Sequence, residues 1–282
     1  MSAGGAGKGN KVDVLIPFYN QHQLLGRCLK ALELAGCRDL EVILVDDGSS
    51  PVELDRVRGF CSRLSLPNRL VSHPENRGYK ESIHSGLAVC DSPYVILLNS
   101  DTIVTPGFAD RLVEVLAGHP EIRAVGPISN NPTDLYQYRE YLELPADASG
   151  GALFRAIAGL SGQACRQSAG RLTSVPYLTA MCLALDREVF DRVGYFGARY
   201  RYGYFEDLAL SCAIRELGFR LAACEDCFVY HQGQGTFRDK RRSEKIEIIR
   251  YNFSTFTAEW GHLPEHEDLL RRMELAGRAC PV

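Results

Sequence analysis

Val12-Asp13-Val14-Leu15-Ile16 is a short apolar run that ends at Pro17. Glu41-Val42-Ile43-Leu44-Val45 is a second run, broken by Asp46-Asp47-Gly48-Ser49-Ser50. Between them Leu24, Leu25, Cys28, Leu29, Leu32 and Ala35 recur at helical spacing. The stretch therefore reads as strand, helix, strand. Strands that are apolar throughout, without alternation, belong to a parallel sheet covered on both faces. The rhythm continues outward. Pro51 suits the first turn of a helix capped by Ser49 or Ser50, with Leu54, Val57, Phe60, Cys61 and Leu64 on one face. Leu70-Val71 begins a third strand, Tyr79 to Cys90 is a helix, and Tyr94 to Leu98 is a fourth strand. Thr105-Pro106 opens another helix and Ala124 to Ile128 is a fifth strand. Ligands of such sheets bind beyond the carboxyl ends of the strands. Tyr19 and Asn20, Asp46 and Asp47, and Asn99 and Asp101 stand at those ends, and are expected to line one crevice.

The chain has 282 residues, 45% hydrophobic and 24% charged, which excludes a disordered chain, a coiled coil and a collagen-like repeat. A net charge of −3 gives no global attraction to nucleic acid. No apolar run approaches the ~20 residues that span a bilayer. Residues 1–10 are Gly-rich, have no apolar segment of the secretory type, and read as a loose tail. The ten cysteines are scattered through apolar patterns and read as small reduced hydrophobes. Cys224-Glu225-Asp226-Cys227 lies inside a strand, Leu221 to Tyr230, and lacks the second pair a zinc site wants.

Beyond residue 129 the rhythm fails. Asn130 to Arg171 reads as a long irregular insert with weak periodicity from Leu153 to Leu160. Val175 to Leu185 reads as a strand, Arg187 to Val193 as a short helix, and Gly194 to Gly203 as an aromatic loop. Phe205 to Leu217 is an amphipathic helix stopped by Gly218. Lys240 onward is charged helix, and Arg271 to Val282 a fraying tail. The organisation expected is a tail (1–10), a half that carries the strand–helix sheet (11–129), a second half of the same domain (130–262) and a C-terminal helix or tail (263–282).

Several polar groups at element ends could carry chemistry. Gly7-Lys8 lacks the surroundings of a phosphate loop, and no G-x-G-x-x-G follows a strand. Asp101 in Asn99-Ser100-Asp101 could bind a hard divalent cation, or cap a turn. Asp46-Asp47 could bind a cation or separate donors, or cap the helix at Pro51. Glu206-Asp207 opens a helix, where acids are common for dipole reasons alone. His231 ends an apolar strand, where a histidine is often structural.

Taken in order, these pieces resemble the large inverting glycosyltransferase family 2, whose fold is GT-A. The matching segments are Val14 to Asn20, Val45 to Ser49, Asn76-Arg77-Gly78, Leu97 to Thr102, Phe205 to Leu208 and Val229-Tyr230-His231. Met181 to Leu217 and Trp260-Gly261 are similar to its rhamnosyltransferase-like branch. The resemblance implies an α/β GT-A fold, with a mostly parallel nucleotide-sugar-binding sheet flanked by helices over residues 11–129, fused to a smaller acceptor-binding and catalytic-base part over residues 130–262. It implies a UDP- or dTDP-sugar donor and Mn²⁺ or Mg²⁺. Asp47 would hydrogen-bond the base, with Pro17, Tyr19 and Asp46 around it. Asn76, Arg77 and Gly78 would approach the donor. Asn99-Ser100-Asp101 is similar to the family's D-x-D, with Asn99 and Ser100 near the ribose and Asp101 on the metal. Asn99 removes one charge from that motif. Asp207 matches the catalytic base, with Glu206 beside it, and His231 matches a histidine that completes the metal site in some members.

The chemistry suits these residue types. A nucleotide diphosphate leaves well once a cation neutralises its charge. An acceptor hydroxyl needs a general base in reach. The acceptor is expected to be a glycan, lipid-linked, peptide or small molecule. A cytoplasmic location is expected, with Arg238, Lys240, Arg241 and Arg242 as a contact to the inner membrane face or as a solvated helix start. Two rivals stand beside this reading: a nucleotidyltransferase forming nucleotide sugars, and a non-catalytic nucleotide- or sugar-binding module. The N-x-S sequence at Asn252 falls in an apolar helix and does not read as a glycosylation site.

Overall fold

The computed structural model describes residues 9–142, 150–194, 199–233 and 242–276. The Gly-rich start, Tyr195, Phe196, Arg238, Lys240, Arg241 and Cys280 lie outside the described residues. The first strands follow the sequence reading closely. They are β1 (Val12–Phe18), β2 (Leu40–Asp46), β3 (Asn68–Ser72) and β4 (Tyr94–Leu98). Strand β1 runs through Pro17 instead of stopping there. Helices α1 (His22–Ala35), α2 (Pro51–Cys61) and α3 (Tyr79–Leu87) connect these strands. Helix α1 buries Leu25, Cys28, Leu29, Leu32 and Ala35 on one face, the spacing read from sequence. Ser50, not Ser49, caps α2, accepting the Glu53 N–H at 3.4 Å.

The sheet is mixed. Strand β1 pairs in parallel with β2 and β4, and β2 with β3. After β4 come β5 (Thr102–Val104), α4 (Phe108–Gly118) and β6 (Ile122–Ile128). Strand β8 (Cys182–Asp186) then inserts antiparallel between β4 and β6. Strand β9 (Arg220–His231) runs parallel to β6 and pairs antiparallel with both β5 and β7 (Leu172–Ser174). The path is β3-β2-β1-β4-β8-β6-β9-β5, with β7 off β9. The carboxyl ends of β1, β2, β4, β6 and β9 consequently share one edge, and β8 begins there.

Two apolar cores flank the sheet. Val14, Ile16 and Leu44 face α1 and α4 together with Leu153 and Ile157. Leu15, Ile43 and Val45 face the opposite core, with Ile83, Leu208, Phe256 and Leu269. Burial of this kind stabilises at about 25 cal/mol per Å² of apolar surface.

Three sequence expectations need correction. The stretch 130–171 is not irregular: it holds a 3-10 turn (Pro132–Gln137) and a 19-residue helix, α5 (Gly150–Ser168). Leu153, Ile157, Ser161, Ala164 and Ser168 form the buried face of α5, and its glycines hid the period. The strand expected from Val175 starts only at Cys182; Pro176 has no N–H to donate to a ladder. Of the tail expected from Arg271 to Val282, residues 271–275 belong to a helix, and residues 277–282 lie outside the described residues. After α6 (Arg187–Val193), α7 (Glu206–Glu216) and α8 (Arg242–Trp260), helix α9 (His266–Leu275) buries Leu269 and Met273, four residues apart. No helix among the described residues is long and apolar enough to cross a membrane.

Among the described cysteines none forms a disulfide. Burial pushes the Cys224 and Cys227 thiols up, which opposes metal ligation and fits the reading of strand hydrophobes.

Candidate active site

The residues at the shared edge form three hydrogen-bonded groups. The first lies beyond β1 and β2. Asp47 N–H donates to the Phe18 carbonyl at 2.9 Å. The buried Asp47 carboxylate accepts from Arg77 N–H (2.8 Å), Gly78 N–H (2.9 Å) and His73 Nδ1 (3.1 Å). Three of its roughly four lone-pair sites are thereby filled, and one direction remains for a ligand N–H. Asp46 holds its own turn, accepting Ser49 N–H at 2.9 Å. Ser49 Oγ accepts Asn20 N–H at 2.7 Å. Two glycines make this packing feasible. Gly48 has φ +75 and passes so close to Glu75 that a Cβ would lie 2.3 Å from its carbonyl carbon. Gly78 has φ +92 and lies against Tyr202. Pro17 is buried, Tyr19 half-buried, and Asn76 and Arg77 exposed at this end. Arg77 reaches Glu81 at 3.8 Å, an exposed pair that holds it weakly.

The second group is built on Asn99-Ser100-Asp101, the turn between β4 and β5. Thr102 Oγ1 donates to the Asn99 carbonyl at 2.7 Å and closes the turn. Pairing of β5 with β9 sets Thr102 opposite His231, and Gln232 N–H donates to the Asp101 carbonyl at 3.1 Å. Asp101 is buried and its Oδ1 lies 3.4 Å from His231 Nε2. It does not cap α4, which begins at Phe108 behind Gly107. His231 Nδ1 lies 2.9 Å from Asp134 Oδ1. Asp134 is also buried and accepts from Ser129 Oγ. Burial alone would lower the His231 pKa; Asp134 and Asp101 outweigh it and push the imidazole up to about 10.

This donor set fits a divalent cation once His231 Nε2 gives up its proton, which a bound ion would displace. One carboxylate oxygen and one imidazole nitrogen converge, and a second carboxylate sits on the far ring nitrogen. Metal-ligating histidines are usually oriented in this way. Mg²⁺ and Mn²⁺ commonly take one or two protein ligands plus phosphate oxygens and water. Asp134 escaped the sequence reading. The only signal was the turn-forming Asn130-Asn131-Pro132 ahead of it. Asp13, Glu41 and Asp91 also approach one another, but at the opposite end of the sheet. There Asp13 accepts Asp91 N–H, Ser92 N–H and Ser92 Oγ.

The third group is the start of α7. Asp207 is half-buried and its Oδ2 accepts Ala180 N–H at 3.1 Å. The next residue, Met181, accepts Asn99 N–H at 2.9 Å through its carbonyl. Residues 180–181 therefore tie the Asn99 turn to Asp207. Glu206 is buried, so of the two adjacent acids Asp207 is the more open to solvent. The approach to α7 is strained. Tyr202 (φ 57), Tyr204 (φ 75) and Phe205 (φ 72) all adopt positive φ. Each non-glycine residue there costs on the order of 1 kcal/mol or more. This turn also touches the first group, where Tyr79 N–H donates to the Tyr202 carbonyl at 3.0 Å. The Tyr79 hydroxyl is buried without a hydrogen-bond partner among the described residues. Burial first, then the Glu206 and Asp207 charges, hold it well above the ordinary tyrosine range.

The Glycosyl transferase family 2 model matches residues 13–194, more than half of the chain. The chain belongs to glycosyl transferase family 2. N-acetylglucosaminyl-diphospho-decaprenol L-rhamnosyltransferase of Mycobacterium tuberculosis is 27% identical over 242 residues, covering 78% of this chain and 76% of that protein. Undecaprenyl-phosphate 4-deoxy-4-formamido-L-arabinose transferase of Pseudomonas syringae is 32% identical over 127 residues, 44% of this chain and 37% of that protein. An uncharacterized glycosyltransferase of Haemophilus influenzae is 30% identical over 136 residues, 46% of this chain and half of its own length. The chain thus spans half or less of several relatives it matches. Among solved structures, the mannosyltransferase PcManGT of Pyrobaculum calidifontis, in complex with GDP-Man and Mn²⁺, superposes with a TM-score of 0.64. It is 18% identical and the match covers 95% of this chain and 70% of that one. GalNAc-T7, solved with UDP, GalNAc and Mn²⁺, gives 0.62 at 14% identity, covering 95% and 55%. These likenesses establish the GT-A fold.

Proposed function

We propose that this family 2 enzyme moves a sugar from a nucleotide-diphosphate donor to an acceptor hydroxyl by single displacement with inversion. The observation that carries the reading is the placement of Asp207. An accessible carboxylate is held by Ala180 N–H, one residue from the carbonyl that holds the Asn99 turn. Pro17, Tyr19, Asp46 and Asp47 line the base side of the donor pocket. The Asn76-Arg77-Gly78 loop, Asn99 and Ser100 bound its sugar-diphosphate side. Asp47 presents that loop through its two backbone bonds and keeps one lone pair for the base. Asp101 and His231 would hold a divalent cation, Mn²⁺ or Mg²⁺, whose chemistry there would be to neutralise charge on the diphosphate.

Asp207 takes the proton from the acceptor hydroxyl as its oxygen bonds to the anomeric carbon. The bond from that carbon to phosphate oxygen breaks, and the diphosphate leaves with the electron pair. Glu206 is buried beside it, and the buried Tyr79 hydroxyl lies close enough to feel both acids. The donor is a UDP- or dTDP-sugar. The relative matched over most of both chains is named for rhamnose transfer to a lipid diphosphate, which supports a lipid-linked acceptor.

The test is calorimetric binding of UDP, dTDP, GDP and CDP, with Mn²⁺ and with chelator, followed by turnover of the matching sugar nucleotides. Metal-dependent binding of one nucleotide, lost in Asp101→Ala, is expected. Asp207→Asn should keep that binding and lose transfer by on the order of a thousandfold. Release of pyrophosphate instead of nucleoside diphosphate would support a nucleotidyltransferase. Binding without turnover across acceptors would support a binding module.

A further inference from the structure

Asn252, on α8, is fully buried although it carries a primary amide. Its side chain is spent on the strained turn before α7. Asn252 Oδ1 accepts Arg201 N–H at 2.9 Å. Its Nδ2 donates to the carbonyls of Gly203 (2.7 Å), Arg201 (2.9 Å) and Tyr204 (3.1 Å). One side chain thus engages four backbone groups within four residues, its two amide hydrogens shared among the three carbonyls. These are the groups that positive φ at Tyr202 and Tyr204 turns away from any regular ladder. The same helix supplies an apolar backing. Phe253 and Phe256 each pack on Phe205 with ring centroids 5.7 Å apart. The Arg201 guanidinium lies over the Tyr251 ring at 3.8 Å. The turn held this way touches Gly78 and Tyr79 on one side and leads into Asp207 on the other.

We infer that Asn252 is a positioning residue for the transfer reaction. It fixes the turn over residues 201–205 in its strained form, and so sets Asp207 against the donor loop. The inference rests on the proposed role of Asp207 as base. Asn252 touches no substrate; its effect runs through the backbone. A residue that holds the base in line should govern the rate of the chemical step more than nucleotide affinity.

Asn252→Asp tests this in the full chain, because it keeps the acceptor for Arg201 N–H and replaces the donor with an oxygen facing three carbonyls. Three quantities are read. Hydrogen–deuterium exchange over residues 200–208 should speed by about tenfold or more, with β1, β2 and β4 unchanged. Affinity for the Mn²⁺–nucleotide identified by calorimetry should fall by no more than about threefold, since Asp47 still holds Arg77 N–H and Gly78 N–H when the turn loosens. Release of nucleoside diphosphate from the matching sugar nucleotide should fall on the order of a hundredfold, in kcat and not in donor KM. Unchanged exchange over residues 200–208 overturns the inference, as does full turnover with a loosened turn. If the Asp variant does not fold, Asn252→Ser, which keeps one donor, is read in the same way. Asp207→Asn run in parallel separates the two claims. An inactive Asp207→Asn beside a fully active Asn252→Asp overturns the positioning role alone. An active Asp207→Asn overturns the base and with it any catalytic effect of Asn252.

Discussion

Asp47→Asn separates two roles for one carboxylate. Its side chain accepts from Arg77 N–H, Gly78 N–H and His73 Nδ1 at 2.8–3.1 Å, all in buried or half-buried surroundings. The amide that replaces it is nearly isosteric. It keeps one oxygen, and its NH₂ must face at least one N–H that had an acceptor. One charge-assisted bond, worth about 1.5–3 kcal/mol, is lost, and one buried donor is left unsatisfied at about 1–3 kcal/mol. Partial rotation recovers some of this, so the net loss should be about 2–4 kcal/mol. Urea unfolding at pH 7, read by fluorescence of Trp260 and by far-UV circular dichroism, gives that number. The loop carrying Arg77 should loosen with it, and UDP or dTDP affinity should fall in parallel. A stability loss below about 0.5 kcal/mol, within the range of ordinary surface changes, would refute the staple. If nucleotide affinity then fell alone, Asp47 would act on the base and the loop would hold itself.

Asp134→Asn should weaken Mn²⁺-dependent nucleotide binding by about 10–100-fold while leaving metal-free binding unchanged, as read by calorimetry with and without chelator. Gly78→Ala should impair both donor binding and transfer, because φ +92 disfavours a Cβ that would sit 3.1 Å from the Tyr202 ring; donor titration of the variant checks it. Glu225→Gln removes the buried partner of Arg139, whose Nε lies 2.9 Å from Glu225 Oε2, and should cost about 3 kcal/mol at pH 7. Burial raises the Glu225 pKa, but hydrogen bonds from Arg139 and Thr173 and the Arg139 and Arg171 charges outweigh it, leaving the carboxyl below its usual range. A depressed carboxyl stabilises above its unfolded pKa and ceases to as pH falls through the folded value. The gap between wild type and Glu225→Gln should therefore hold from pH 8 to about 5 and shrink progressively as the pH falls further, through the depressed folded value, by urea unfolding across pH.

The sheet was legible because its strands are apolar on both faces and its first helices carry a plain period. Leu25, Cys28, Leu29 and Leu32 needed no tertiary knowledge to be placed. Asp46, Asp47, Asn99 and Asp101 were legible for a related reason: strand ends in a parallel sheet must share an edge. The antiparallel insertion of β8 was not legible, since an apolar strand carries no mark of its direction. Helix α5 was obscured by glycines whose local cost tertiary packing overrides. Asp134, Gln137 and Asn252 escaped for a third reason. They are polar residues almost wholly buried, and sequence pattern treats polar residues as surface. Gln137 shows what such a residue does. Its Oε1 accepts Thr179 N–H at 2.8 Å and its Nε2 donates to the Pro127 carbonyl at 3.0 Å, fixing the segment whose next residue holds Asp207.

Backbone strain marks the same edge as these buried amides and acids. Among the described residues the non-glycine positions at positive φ are Asn20, Gln21, Asp39, Leu135, Tyr202, Tyr204 and Phe205. All but Asp39 follow a strand end or precede α7 on the crevice side. Asn20 and Gln21 turn the chain after β1, Leu135 follows Asp134, and the last three lead into Glu206-Asp207. Strain at this density persists only where surrounding bonds over-determine it. The bonds are specific in each case: Ser49 holds Asn20, Gln137 and Ser129 hold the turn around Leu135, and Asn252 holds residues 201–204. For the proposed transfer site, turns held this way would be preorganised, which lowers the entropic cost of aligning a hydroxyl, an anomeric carbon and a base. Stability spent at the crevice edge must come from elsewhere, and the two apolar cores beneath the sheet supply it.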